Sequence, residues 1–240
     1  MTKLLAIDSS TEACSVAVSV DGQRFVEYQV APRKHAELLL PMVDSTLSQA
    51  NISLQDLDAI ACCVGPGAFT GLRIAISMAQ SLGYAANKPC IAVSSLQLLA
   101  AEAFNLTENE ICLSSIDARM NEVYFGAFQR DADGLPKPIS PEVVVSPLEI
   151  ELSSQYLSSA KLADYSEHQI TLAGSGWESY SYGTLLNKIK QIPVNNVYPN
   201  AEFMIPLAER AFAQNEIINA SKMRPSYLRN NVAKKKSAQN

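Results

Sequence analysis

Residues 4–18, LLAIDSSTEACSVAV, decide the fold. A short apolar run, Leu4 to Ile7, ends in Asp8; a polar turn follows, and an alternating run returns from Cys14 to Val20. Asp21-Gly22 is a hairpin turn and sends a further strand to Val30, so the chain opens as three antiparallel strands. The same plan restarts in the second half. Leu113-Ser114-Ser115-Ile116-Asp117 and the strand from Glu122 to Phe128 mirror the opening, with an Ile-Asp pair closing a buried strand each time. A βββαβα unit used twice predicts an α/β protein of two lobes, the first over residues 1–108 and a smaller second over 109–240 with a C-terminal helix and basic tail.

The intervening periodicity completes the first unit. A helix is expected from about Lys34 to Ala50, with Leu39, Val43, Thr46, Leu47 and Ala50 on one face and Pro41 bending it. A strand at Ala59–Val64 leads through a glycine-rich turn into a second helix, Thr70 to Ala86, and a strand at Cys90–Val93 precedes a helix capped by Ser94 or Ser95. Past Asp133-Gly134 the pattern weakens into short strands at Val143–Val145 and Ile170–Ala173 with helices between them. Asn200 caps a last helix reaching about Gln214.

Composition limits the function. The 240 residues are 48% apolar, enough for a proper core, and the first apolar stretch is too short for a signal or membrane span, so a cytoplasmic protein is expected. Cys14, Cys62, Cys63, Cys90 and Cys112 lie in strand-like runs without paired spacing and read as reduced core residues. Six basic residues, Lys222, Arg224, Arg229, Lys234, Lys235 and Lys236, follow the last acid, Glu216. The other 216 residues carry 13 basic and 24 acidic side chains, a net −11, so nucleic acid is not attracted by the body of the protein. The tail is either a solvated end or the part that meets RNA.

No stretch spells out a catalytic centre. Gly65-Pro66-Gly67 between strand and helix resembles a phosphate loop, but Pro66 removes one amide donor and no Lys-Ser or Lys-Thr pair follows. Asp8, at a strand end, suits either a magnesium ion held through water or a turn, and Gly174 and Gly176 suit either an adenosine contact or a loop. These three residues are the candidate nucleotide site of a kinase or hydrolase. His35 and His168 stand apart, which disfavours a metal site, and no glycine-flanked nucleophile elbow supports a hydrolytic triad. After Arg73 the second helix is uncharged, with Gly71, Ala75, Ala79 and Gly83 in a row of small residues. The row fits either its own lobe or another chain.

Three motifs, LLAIDSSTEACSVAV at 4–18, GPGAFTGLRIAISMAQSLG at 65–83 and SSIDARMNEVYFGAF at 114–128, together with Tyr227-Leu228-Arg229-Asn230-Asn231-Val232, closely resemble the bacterial TsaB family, also called YeaZ. The resemblance implies the actin-like ATPase fold of sugar kinases, Hsp70 and actin. It implies a non-catalytic subunit in threonylcarbamoylation of the adenosine beside the anticodon in tRNAs reading codons that begin with A. The implied partners are a catalytic TsaD-like paralogue and a TsaE-like ATPase, with tRNA engaged indirectly and no membrane. No cofactor is expected on the chain alone, and ATP or ADP with magnesium belongs to the complex. The paralogue's metal-binding H-x-x-x-H is missing, since Leu39 stands four places after His35. The family joins its paralogue, or a second copy, through the two first-lobe helices. That carries the partner interface to His35, Leu38, Leu39, Met42, Val43 and Thr46, to Gly65, Pro66, Gly67, Phe69 and Thr70, and to Gly71, Leu72, Arg73, Ala75, Ile76, Ala79 and Gly83. On this reading the row of small residues is an intermolecular groove.

Overall fold

The computed structural model describes residues 2–150, 170–182, 192–193 and 198–229. Strands β1 (Leu4–Asp8), β2 (Ala13–Val20) and β3 (Gln23–Val30) form the antiparallel opening, and β4 (Ala59–Gly65) and β5 (Cys90–Ser94) join in parallel, in the order β3-β2-β1-β4-β5. Helix α1 (His35–Gln49) follows β3 and α2 (Phe69–Ala86) follows β4. Pro41 is accommodated inside one continuous α1, on its exposed side, where the missing amide hydrogen bond faces water.

Helix α3 (Ser95–Leu106), whose N-terminus Ser94 caps by accepting from the Leu96 and Gln97 amides, leads to the second sheet. There β6 (Ile111–Asp117), β7 (Val123–Arg130) and β8 (Pro136–Pro138) are antiparallel, β9 (Val143–Val145) adds to β7, and β10 (Ile170–Ala173) and β11 (Ile192–Pro193) run parallel to β6. The path β8-β7-β6-β10-β11 repeats the order and directions of the first sheet, with β8, β10 and β11 shorter than their counterparts. This is the duplicated plan read from the two Ile-Asp strands, and it is the α/β, actin-like arrangement. Between Val145 and Ile170, where helices are expected, only 146–150 are described, with a single 3-10 turn at Pro147–Glu149; the rest of that span, His168 and Lys234 to Lys236 lie outside the described residues.

The first sheet is covered on both faces, which is why β1, β2 and β4 are buried along their whole length. On one face Leu5, Ile7, Val16 and Ile60 pack against Leu39, Val43, Ala75 and Ala79 of α1 and α2. On the other, Leu4, Ala6, Ala61 and Val93 meet Met204, Ile205 and Ala208. Those last residues belong to α5 (Met204–Ala213), entered through a turn at Ala201–Phe203 that Asn200 caps. The C-terminal helix, read from sequence with the second lobe, therefore packs on the first sheet. Alternating inward positions on both sides of β1 need two helical layers; residues 1–108 supply α1 and α2 to one and only Leu98 and Ala101 of α3 to the other, which α5 completes. The short helix α4 (Gly176–Ser179) stays with the second sheet, where Trp177 donates to the Leu113 carbonyl (3.0 Å) and packs with Phe125 and Tyr182. All five cysteines are free and buried, as read from sequence, and burial pushes the Cys14 and Cys112 thiols up to about 12.

Candidate functional site

The glycine turn positions α2 by close approach to the β1–β2 turn. A Cβ on Gly67 would overlap the Ser10 carbonyl, and one on Gly71 the Ser9 carbonyl. Ser9 Oγ donates to the Gly71 carbonyl (2.9 Å), and the Ala68 amide to Ser10 O (2.7 Å). Ser95 Oγ bonds the carbonyl of Pro66, whose peptide with Gly65 is cis. These residues are bound to their own chain.

The row of small residues faces inward. Ala75 and Ala79 are 0% exposed in the first-lobe core, and a Cβ on Gly83 would press on Cys90 Sγ and the Ala220 side chain. The expectation of an intermolecular groove is corrected here: the small side chains let α2 lie close over β4 and leave no room for a second chain. His35, Leu39, Met42, Val43, Thr46, Leu72 and Ile76 are likewise buried in this chain, as are Gly65 and Pro66, and the His35 ring bonds the Ala13 carbonyl (3.2 Å). Of the residues expected at the interface, Leu38, Gly67, Phe69, Thr70 and Arg73 reach the surface. Sequence reading missed the outward stripe that accompanies them. Ile74, Met78 and Leu82, four residues apart and partly exposed, border the same core as Leu38 of α1, and Tyr84 is 86% exposed. Their spacing carries the signal, the same four-residue period as the small row.

A cleft of about 690 Å³ separates the lobes, walled by Ser10, Thr11, Gly67 and Phe69 on one side and Asp117, Arg119, Tyr124 and Ser175 on the other. None of the three nucleotide candidates is among the described residues that line it. Gly174 and Gly176 are glycines because the Ser115 backbone and hydroxyl occupy the space a Cβ would need. Asp8 is fully buried; it accepts from the Ser10 amide (3.1 Å) and is flanked by Ser10 and Cys63, yet among the described residues its Oδ2 and Ser10 Oγ have no partner in hydrogen-bond geometry. Its counterpart Asp117 is committed to the Arg119 amide (2.8 Å), the Arg119 guanidinium (3.2 Å) and Tyr180 OH (2.8 Å). The residues present thus do not fit a nucleotide-magnesium site built on Asp8, Gly174 and Gly176. Among the described residues no cluster of three His, Cys, Asp or Glu side chains is placed to hold a metal ion.

Burial raises the Asp8 carboxyl above its ordinary value. The folded chain then holds this proton more tightly than the unfolded one, so the associated stability is present at low pH and is lost as pH rises through the raised value. Asp8→Asn, which keeps an acceptor for the Ser10 amide, is expected to be more stable than the parent at neutral pH by about 1–2 kcal/mol. The gain should shrink toward the ordinary aspartate range. Urea unfolding at several pH values checks this, and a loss of stability at pH 7 contradicts it.

A family profile described as "TsaD: tRNA N6-adenosine threonylcarbamoyltransferase" matches residues 26–237. The chain is 37% identical to "tRNA threonylcarbamoyladenosine biosynthesis protein TsaB" of Escherichia coli K12, over 98% of this chain and 97% of that protein. The protein of the same name from Haemophilus influenzae is 36% identical, over 97% and 96%. The chain belongs to the TsaB (YeaZ) family. Two solved structures agree in fold: "YeaZ from Pseudomonas aeruginosa", 37% identical, and an uncharacterized protein of that organism titled for its similarity to peptidase YEAZ, 39% identical. Each has a TM-score of 0.82 and covers 95% of this chain and 100% of the other. Of the TsaB-family motifs, the glycine turn, the Ser10-Thr11-Glu12 turn after the first Ile-Asp strand and the second Ile-Asp pair line the cleft, and Tyr227 and Arg229 close one side of it. Among the described residues no helix is long and apolar enough to cross a membrane.

Proposed function

We propose that this chain is the non-catalytic partner subunit in the formation of threonylcarbamoyladenosine in tRNAs that read codons beginning with A. It docks on a TsaD-like catalytic paralogue, works with a TsaE-like ATPase, and meets tRNA through the complex. The observation that carries this reading is near-full-length identity to proteins named for that biosynthesis.

Two features of the chain support it. His35, where the paralogue is expected to begin its metal-binding pair, is buried and bonded to the Ala13 carbonyl, and its i+4 neighbour is the core residue Leu39. The outward side of α2 presents Ile74, Met78 and Leu82 with Arg73 as its one charged neighbour on the helix, the composition of a face covered by another protein. The docking face is therefore the outward stripe with Leu38, Phe69, Thr70 and Arg73, and a second copy can use it when the paralogue is absent.

Reconstitution tests the reading. The chain, a TsaD-like paralogue and a TsaE-like ATPase are incubated with tRNA, ATP and threonylcarbamoyl adenylate labelled in its threonine. Omitting the chain should abolish incorporation of label into tRNA, and the chain alone should incorporate none. Incorporation unaffected by omission overturns the reading, as does magnesium-dependent ATP turnover by the chain alone that disappears in Asp8→Asn.

A further inference from the structure

The chain's last described residues run from one lobe to the other. Met223 is fully buried in the first-lobe core, and its carbonyl accepts from Gln80 Nε2 (3.1 Å). The Ser226 amide donates to the Val64 carbonyl (2.8 Å) near the end of β4. Tyr227 stacks on Phe69 (centroids 6.1 Å apart), and its hydroxyl accepts from Arg73 Nε (3.1 Å), while the Arg73 guanidinium lies 3.4 Å from the centre of the Phe69 ring.

Two residues later the chain has crossed. Arg229 pairs with Glu122, donates to the Arg119 carbonyl (3.4 Å), and lies 3.6 Å from Met120 Sδ. Its side chain is 17% exposed and that of Glu122 40%, so this ion pair is better shielded than the Arg119–Glu12 link, where the side chains are 77% and 47% exposed. The turn that Arg229 grips is strained. Arg119, Met120 and Asn121 all have left-handed backbones (φ 63°, 58° and 60°), a conformation that asparagine takes readily and arginine and methionine do not. Ser226, Tyr227 and Arg229 also line the cleft.

We propose that residues 223–229 are an interlobe latch, rooted in the first lobe at Met223 and Ser226 and caught on the second by the Arg229–Glu122 pair. Closed, it covers one side of the cleft and holds the 119–121 turn in its strained form. Released, it opens the cleft and lets the turn relax toward ordinary backbone angles. The strain supplies the direction: the latch adds its contacts to those the turn makes with Asp117 and within itself, so breaking the catch lets the strained turn relax. The latch is a property of the isolated chain and does not depend on docking.

Amide hydrogen exchange on the full chain tests it. The Ala118 and Glu122 amides, which bond the Glu122 and Arg119 carbonyls across the turn, are the reporters, with the interiors of β1, β4 and β6 as the reference. Arg229→Ala and Arg229→Glu should each speed exchange in the peptide covering 118–123 by tenfold or more with the reference strands unchanged. The charge exchange, Arg229→Glu with Glu122→Arg, should bring it back to within threefold of the parent. The proposal is overturned by an unchanged 118–123 in the single variants, by acceleration spread over both sheets, or by a double variant that stays fast.

Discussion

Gly71→Ala should destabilise the protein by about 2 kcal/mol, against the direction that helix propensity predicts. In a free helix, alanine is favoured over glycine by about 1 kcal/mol. Here the added Cβ points into the Ser9 carbonyl, at a place where both partners are backbone and no flexible side chain can move aside. Overpacking of this kind costs about 3 kcal/mol, the upper part of the usual range, and outweighs the propensity gain. The drop should appear as a lower urea midpoint at unchanged slope. Gly134→Ala serves as the control: its backbone is left-handed (φ 79°), but open space surrounds it, so only the conformational term of about 1 kcal/mol applies. A Gly71→Ala protein as stable as the parent would remove the close approach of α2 to the β1–β2 turn from the account.

Met78→Glu should leave the chain folded and weaken its association with a TsaD-like paralogue more than 100-fold. Met78 is partly exposed at the middle of the outward stripe, so in the free subunit a glutamate there keeps its carboxylate in water. In the complex that carboxylate loses water without gaining a partner, at about 3 kcal/mol or more, which is over two decades in Kd. Ala75→Leu gives the opposite pattern. Ala75 has no exposure and lies over β4, so the larger side chain should lower stability by about 1–3 kcal/mol and reduce binding only as far as folding is lost. Melting and sedimentation of both variants, alone and mixed with the paralogue, separate the two effects. Normal binding by folded Met78→Glu would remove the docking face from α2.

The contrast between Met78 and Ala75 shows what was legible in the residues. A row of small side chains every four residues says that something approaches α2 closely, and the structure agrees, since β4 and the Ser9 carbonyl are what approach. The spacing does not say whether the neighbour is the chain's own sheet or another molecule, because both use the same helical geometry. Ile74, Met78 and Leu82 carry the same four-residue period one position earlier on the helix wheel. Only the position of the sheet tells which of the two rows is covered. Asp8 is similar. Its place at a strand end was visible, but its full burial depends on neighbours such as Cys63, which are distant in sequence.

By itself the sequence determined the repeated opening with its two Ile-Asp strands, the hairpin at Asp21-Gly22, the glycine turn and the family, because each is written in local periodicity, turn chemistry or contiguous motifs. Only the tertiary structure decided which face of α2 is buried, that α5 returns to cover the first sheet, and that Tyr227 and Arg229 bridge the lobes. These outcomes rest on contacts between residues far apart in the chain, from Ser9 with Gly71 at a separation of 62 to Arg229 with Glu122 at 107. Such contacts form where two surfaces happen to fit, and no local pattern in either segment records its partner.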